Sequence, residues 1–164
     1  DNAHLNGLGD RFDAVDGDID HPPLRIAPAG YAHAMMNPPH LVAQRARVSP
    51  LRRRALANTE GASSLAIWRD TGLRMLVRHG TLTLIHRADR LDEILALLHK
   101  RAGEIVVFPL WPGPDVKLAK RVIVRAKKET RAPLRRAPGL VLHTEDGAFT
   151  AQADAVLRGA ALKI

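Results

Sequence analysis

Tyr31-Ala32-His33-Ala34-Met35-Met36-Asn37-Pro38-Pro39-His40 is an apolar run that halts on two prolines. Proline has no N–H for a sheet ladder and drives the residue before it out of the helical region, so the run reads as a strand ending at Met36. Working back from it, Phe12 to Asp18 is a short strand candidate that finishes on acids. Asp1 to Gly9 looks like a helix end closed by Gly7 and Gly9. Working forward, Ser63-Ser64 cap a helix over Ser63 to Arg78 that carries Leu65, Trp68, Gly72 and Leu76 on one face and closes at Gly80. Thr81 to Ile85 follows as a strand, and Asp89 caps a helix on which Leu91, Ile94, Leu95, Leu98 and Ala102 recur at helical spacing. Ile105 to Leu110 and Arg121 to Ala126 are two further β-rich runs, joined through Trp111-Pro112-Gly113-Pro114. This order predicts an α/β layer with a mostly parallel sheet and a terminal antiparallel strand pair. It forms one domain, with a core over about residues 10–127 and a basic C-terminal tail over 128–164. Ligands of such sheets bind beyond the carboxyl ends of the strands, which places Asp18 and the segment Asn37 to His40 on one functional edge.

Composition narrows the chemistry. The 164 residues are 46% hydrophobic and 26% charged, the balance of a globular chain. With no cysteine there is no disulfide framework, thiolate zinc site or Cys nucleophile, and the eight histidines show no paired metal spacing, so no metal is expected. Apolar stretches such as Ile105 to Trp111 are far shorter than the ~20 residues of a membrane helix. Asp1 onward has neither a basic n-region nor an apolar h-region, and the expectation is a cytoplasmic protein without a membrane partner. Asp1 to Asn6 itself reads like the middle of a helix, so the true N-terminus is expected to lie upstream.

Net charge is +8, but it is unevenly distributed. Residues 1–40 hold six Asp against two Arg, whereas the remainder holds 23 basic against 11 acidic side chains. Arg45, Arg47, Arg52, Arg53 and Arg54 have no acid among them, and Lys117 to Arg136 contains nine basic residues and one Glu. Such patches suit a phosphate backbone, and nucleic acid is the expected partner; a solvated basic face has the same composition. Arg87, just past a strand end, with Lys120 and Arg121 belong to the same candidate surface.

Asn37-Pro38-Pro39-His40 is the chemically pointed motif. Two prolines fix the backbone so that the Asn37 side-chain oxygen and the Pro38 carbonyl can address one target. A planar amine whose two N–H groups are so held can develop its lone pair toward an electrophile, with the forming charge stabilised by preorganised dipoles. A ring at position 40 can stack on the face of a base. The same four residues also make an ordinary strand terminator with a surface histidine. Trp68 reads as core and Trp111 as packing, or else as a base-stacking platform.

These residues resemble the class I S-adenosylmethionine-dependent methyltransferases that modify amino groups, in which Asn/Asp-Pro-Pro-aromatic or His follows the fourth strand of a Rossmann-like sheet. More narrowly, the chain resembles bacterial tRNA adenine methylases related to the valine tRNA enzyme. The narrower likeness rests on Leu82 to Arg87, on Trp111-Pro112 with Lys120 to Val124, and on Pro138 to His143 with Asp146 to Thr150. The resemblance implies N6 methylation of adenine in tRNA with S-adenosylmethionine as cofactor. Asn37 and Pro38 would accept from the amine, Pro39 would hold the turn, His40 would stack on the base, and Asp18 with Ile19 would contact the cofactor's adenine beside Asn37. The family's glycine-rich loop and the acid that holds the ribose have no counterpart here, so the chain reads as the C-terminal portion of the domain. These 164 residues alone are accordingly expected to be inactive. A glutamine-amide methyltransferase of release-factor type, or a non-catalytic RNA-binding fragment, are the alternative readings.

Overall fold

A computed structural model describes residues 2–39, 41–42, 59–60 and 64–164. A single helical turn, α1 (Asn2–Leu5), precedes an irregular segment and the strand β1 (Tyr31–Met36). The two-residue strands β2 (Leu41–Val42) and β3 (Thr59–Glu60) pair in parallel with each other. Then come α2 (Leu65–Met75), β4 (Leu76–Arg87), α3 (Leu91–Leu98), β5 (Ala102–Trp111) and β6 (Arg121–Lys128). The chain finishes with β7 (Arg135–Arg136), β8 (Leu140–Val141) and α4 (Ala151–Leu157).

The main sheet runs β1-β4-β6-β5-β7, with β8 also on β5. β1 lies parallel to β4, and β7 and β8 lie parallel to β5, while β6 is antiparallel to both of its neighbours. This is the expected α/β class, and among the named strands antiparallel pairing involves β6 alone. One sheet face packs Leu82, Leu84, Val122 and Val124 against Leu65 and Leu73 of α2 and Ile94 and Leu98 of α3, all nearly inaccessible. The opposite face is closed around Val106, Phe108 and Leu110 by Leu140, Ala153 of α4 and, at its margin, Leu162 and Ile164. The stretch expected to be a basic tail therefore supplies two strands and a helix. Thr150 secures that helix: its hydroxyl donates to the Val141 carbonyl (2.7 Å) and accepts from the Ala153 N–H (3.1 Å).

Three local expectations are corrected. Phe12 to Asp18 is irregular rather than a strand. Its Asp and Gly residues disfavour a pleated surface, and Asp18 bonds its own backbone instead, accepting from the Asp20 N–H at 3.1 Å. The helix expected to reach Arg78 stops at Met75, and Leu76 begins a twelve-residue strand that absorbs the run Thr81 to Ile85. Gly80 is thus inside a strand, at an irregularity in the β1 pairing. A Cβ there would stand 2.9 Å from the Val77 carbonyl and 3.1 Å from that of Ala32, so close backbone approach explains the glycine. Finally, Asp89 caps no helix: α3 follows Arg90 without a side-chain cap, and the Asp89 carboxylate is held by Arg87.

Among the described residues β1 has a strand on one side only. Ala34 and Met36 face the helices, while Tyr31, His33 and Met35 alternate onto the other face and are exposed, Met35 at 84%. An apolar open edge of this kind templates association. Met35→Lys in the 164-residue chain is expected to reduce concentration-dependent light scattering without lowering the unfolding midpoint. Unchanged scattering would place the sticky surface elsewhere.

Candidate functional site

β1 and β4 run in the same direction, and Met36 is level with Leu84, so Asn37-Pro38-Pro39 emerges at the carboxyl end of the strands beside the end of β4. Asn37 is exposed, Pro38 is fully buried and Pro39 is half-buried. The turn is thus anchored by its prolines and offers its asparagine to solvent. His86, entirely buried near the end of β4, lies beneath it with Nε2 3.4 Å from the Pro39 carbonyl. A carbonyl can only accept, so this contact requires the His86 proton on Nε2. His40 and Arg45, Arg47, Arg52, Arg53 and Arg54 lie outside the described residues.

The segment before β1 returns to this edge. The Thr71 hydroxyl on α2 donates to the Ile19 carbonyl at 3.1 Å, and the N–H groups of Ala29 and Gly30 donate to the carbonyls of Arg74 and Met75 at the end of α2. Between this segment, β1 and α2 opens a groove of about 1120 Å³. Asp18 and Ile19 line it together with Asp16, Met36 and Trp68. Asp18 is exposed and Ile19 half-buried, so one offers a carboxylate and the other an apolar wall. The Trp68 indole N–H is buried without an acceptor among the described residues, an unsatisfied donor on the groove wall. Trp68 was expected to be core and is instead half-buried here. Asp18 and Ile19 therefore meet Met36 of β1 in this groove, reached through an irregular segment and not through the strand expected there.

Arg87, Lys120 and Arg121 also meet. Arg87 is opposite Arg121 in the β4–β6 ladder, and the Ala88 N–H donates to the Lys120 carbonyl at 3.1 Å. With Asp89 and Ala119 they line a notch of about 410 Å³. Arg87 grips Asp89 with Nε (2.9 Å to Oδ1) and a second guanidinium nitrogen. That hydrogen bond, ahead of the charge attraction, holds the Asp89 carboxyl below the ordinary carboxylate range, leaving it ionised at neutral pH. Trp111 is half-buried, and its indole N–H donates to the Pro138 carbonyl at 2.9 Å. His143 stacks on Phe149 with ring centres 4.8 Å apart. Among the described residues no His, Asp and Glu cluster could hold a metal ion, and no helix is long and apolar enough to cross a membrane.

Sequence reasoning missed His86, which reads from spacing alone as one of eight scattered histidines. The available signal was its period: it shares the inward face with Leu82 and Leu84, where a polar ring must find a partner.

No protein-family model matches the chain, and no curated protein does. Among solved structures it is similar to a predicted O-methyltransferase from Agrobacterium tumefaciens, with a TM-score of 0.74 and 23% identity over 98% of this chain and 69% of that one. At that identity the likeness is one of fold, and it extends over nearly all of the chain.

Proposed function

We propose that this chain carries the amine-binding edge of an S-adenosylmethionine-dependent methyltransferase that acts on the exocyclic N6 amine of adenine in tRNA. The observation that carries this reading is the exposed Asn37 on a turn clamped by buried Pro38 and by the Pro39–His86 contact. It stands at the carboxyl end of β1, where ligands of α/β sheets bind. The matching structure is named for methyl transfer to oxygen. In this reading the exposed Asn37 side-chain oxygen accepts from one N–H of an amine, and the resemblance assigns the second acceptor to the carbonyl of the buried Pro38, a pair that suits two N–H groups better than the single O–H of a hydroxyl.

The groove suits the cofactor. Asp18 offers an acceptor to an adenine amine, Ile19 and Met36 supply apolar cover, and Trp68 forms part of the wall. When bound, S-adenosylmethionine supplies an electrophilic methyl group on a sulfonium. The residues of this chain orient the amine: Asn37 and Pro38 fix its plane, so that the nitrogen lone pair faces away from them, and they stabilise the positive charge that develops before a proton is lost to solvent. His86 holds the turn and touches no substrate. Cationic surfaces elsewhere on this edge support a nucleic-acid substrate.

The test is methyl transfer from labelled S-adenosylmethionine to total tRNA and, separately, to release-factor protein, using the protein made from the full reading frame beside the 164-residue chain. Label recovered from tRNA as N6-methyladenine is the expected result. Label found only in protein would replace adenine by a glutamine amide, and label in neither would overturn methyl transfer to both.

A further inference from the structure

We infer that the notch formed by Arg87, Lys120 and Arg121 is a phosphodiester-binding subsite that holds the backbone of single-stranded RNA next to the base addressed by Asn37. This inference rests on the RNA reading above. The notch lies at the same end of the sheet as the Asn-Pro-Pro turn, because Arg87 directly follows His86, whose ring touches Pro39. β1 to β6 is two strand spacings, or roughly 10 Å. A nucleotide spans that order of distance between its base and its own backbone.

Charge gives the notch its selectivity. Its one acid, Asp89, is neutralised by Arg87 through two hydrogen bonds. Lys120 is exposed, Arg121 is half-buried, and neither forms an ion pair among the described residues. Some other cations of the fold are engaged, Arg69 and Arg101 with Asp70, Arg90 with Glu93 and Lys127 with Glu104, whereas Lys120 and Arg121 stand beside a concavity at the carboxyl end of β4. A concavity of about 410 Å³ that holds two uncompensated cations and a third fixed in place accepts a phosphate oxygen pair without rearrangement. Asp89 has a definable part, since it immobilises Arg87 while subtracting one charge from the site.

The experiment is fluorescence anisotropy of a short labelled single-stranded RNA over a potassium chloride series, using the full-reading-frame protein. The combined variant Lys120→Ala/Arg121→Ala is expected to bind about tenfold more weakly at low salt, with a log–log salt slope shallower by about 1.4, which is two single-strand phosphate contacts. Asp89→Asn, which removes the negative charge and leaves Arg87 one acceptor in place of two, is expected to tighten binding about two- to fivefold because the lost repulsion acts on every phosphate contact. An unchanged slope in the double variant, or weaker binding by Asp89→Asn, overturns the notch. Displacement of RNA by inorganic phosphate at matched ionic strength also overturns it, since the site would then prefer free phosphate. If the notch fails while tRNA methylation persists, the proposed function stands. If the parent protein neither binds nor methylates RNA, that reading falls first.

Discussion

Asn37→Ala, in the protein made from the full reading frame, is expected to slow methyl transfer to tRNA by about 10²–10³-fold, the loss typical of one preorganised polar group facing developing charge. The substitution removes the amide and keeps the backbone. Asn37 is exposed and the clamp on the turn belongs to Pro38, Pro39 and His86, so the fold has little reason to change. RNA affinity should stay within about twofold, as for other surface substitutions. Single-turnover kinetics with saturating RNA isolates the chemical step from binding. A rate close to that of the parent would show that the amine's acceptors lie elsewhere, and a parallel loss of affinity would make Asn37 a binding residue.

The largest expected effect on stability is at Gly139. Its φ is +90°, and a Cβ there would stand 2.3 Å from the Pro109 carbonyl oxygen and 2.8 Å from the Trp111 indole nitrogen. Gly139→Ala therefore combines left-handed backbone strain with overlap onto β5 backbone, for a loss of about 3–5 kcal/mol. The overlap cannot be relieved by a side-chain rotation, since the oxygen belongs to a strand paired on both sides. Gly147 provides the comparison: φ is +86° but nothing lies within 4 Å of its notional Cβ. Gly147→Ala carries the conformational term alone, about 1–2 kcal/mol. Urea unfolding of both variants separates the two contributions, and equal losses would refute the steric part.

The fold was legible where pattern and punctuation coincide. The prolines end β1 at Met36, the Leu91/Ile94/Leu98 spacing marks α3, and the β-rich runs before and after Trp111 give β5 and β6. Misreadings arose where tertiary pairing overrides local preference. Leu76 satisfies helical spacing with Leu65 and Gly72, yet it pairs with Tyr31 as strand, because β1 offers a ladder there. Asp89 precedes a helix in the sequence, but the nearby Arg87 guanidinium is the stronger partner for its carboxylate. Within the site, the position of Asn37 at the carboxyl end of β1 could be read from the prolines, whereas Asp18 and Ile19 reach the groove through an irregular segment and not as the end of the expected strand. The Pro39–His86 contact could not, since it joins residues 47 positions apart that no local spacing relates.

The place of β6 also governs how the chain can fold. β4 and β5 are successive long strands, yet they are not neighbours: α3 carries the chain across a gap that only Arg121–Lys128 fills. Before that segment is available, β4 with β1 is a two-stranded piece with a bare edge, β5 has no strand partner because β7 and β8 follow β6 in the chain, and Val122 and Val124 are missing from the core. Vectorial synthesis thus delivers the keystone strand late, and the sheet cannot close cooperatively until it arrives. Refolding should be slow for a domain of this size, because its central ladders join residues some forty apart in β4 and β6. A nascent chain halted between Trp111 and Arg121 presents the unpaired edges of β4 and β5 to its neighbours and is the species in which self-association begins.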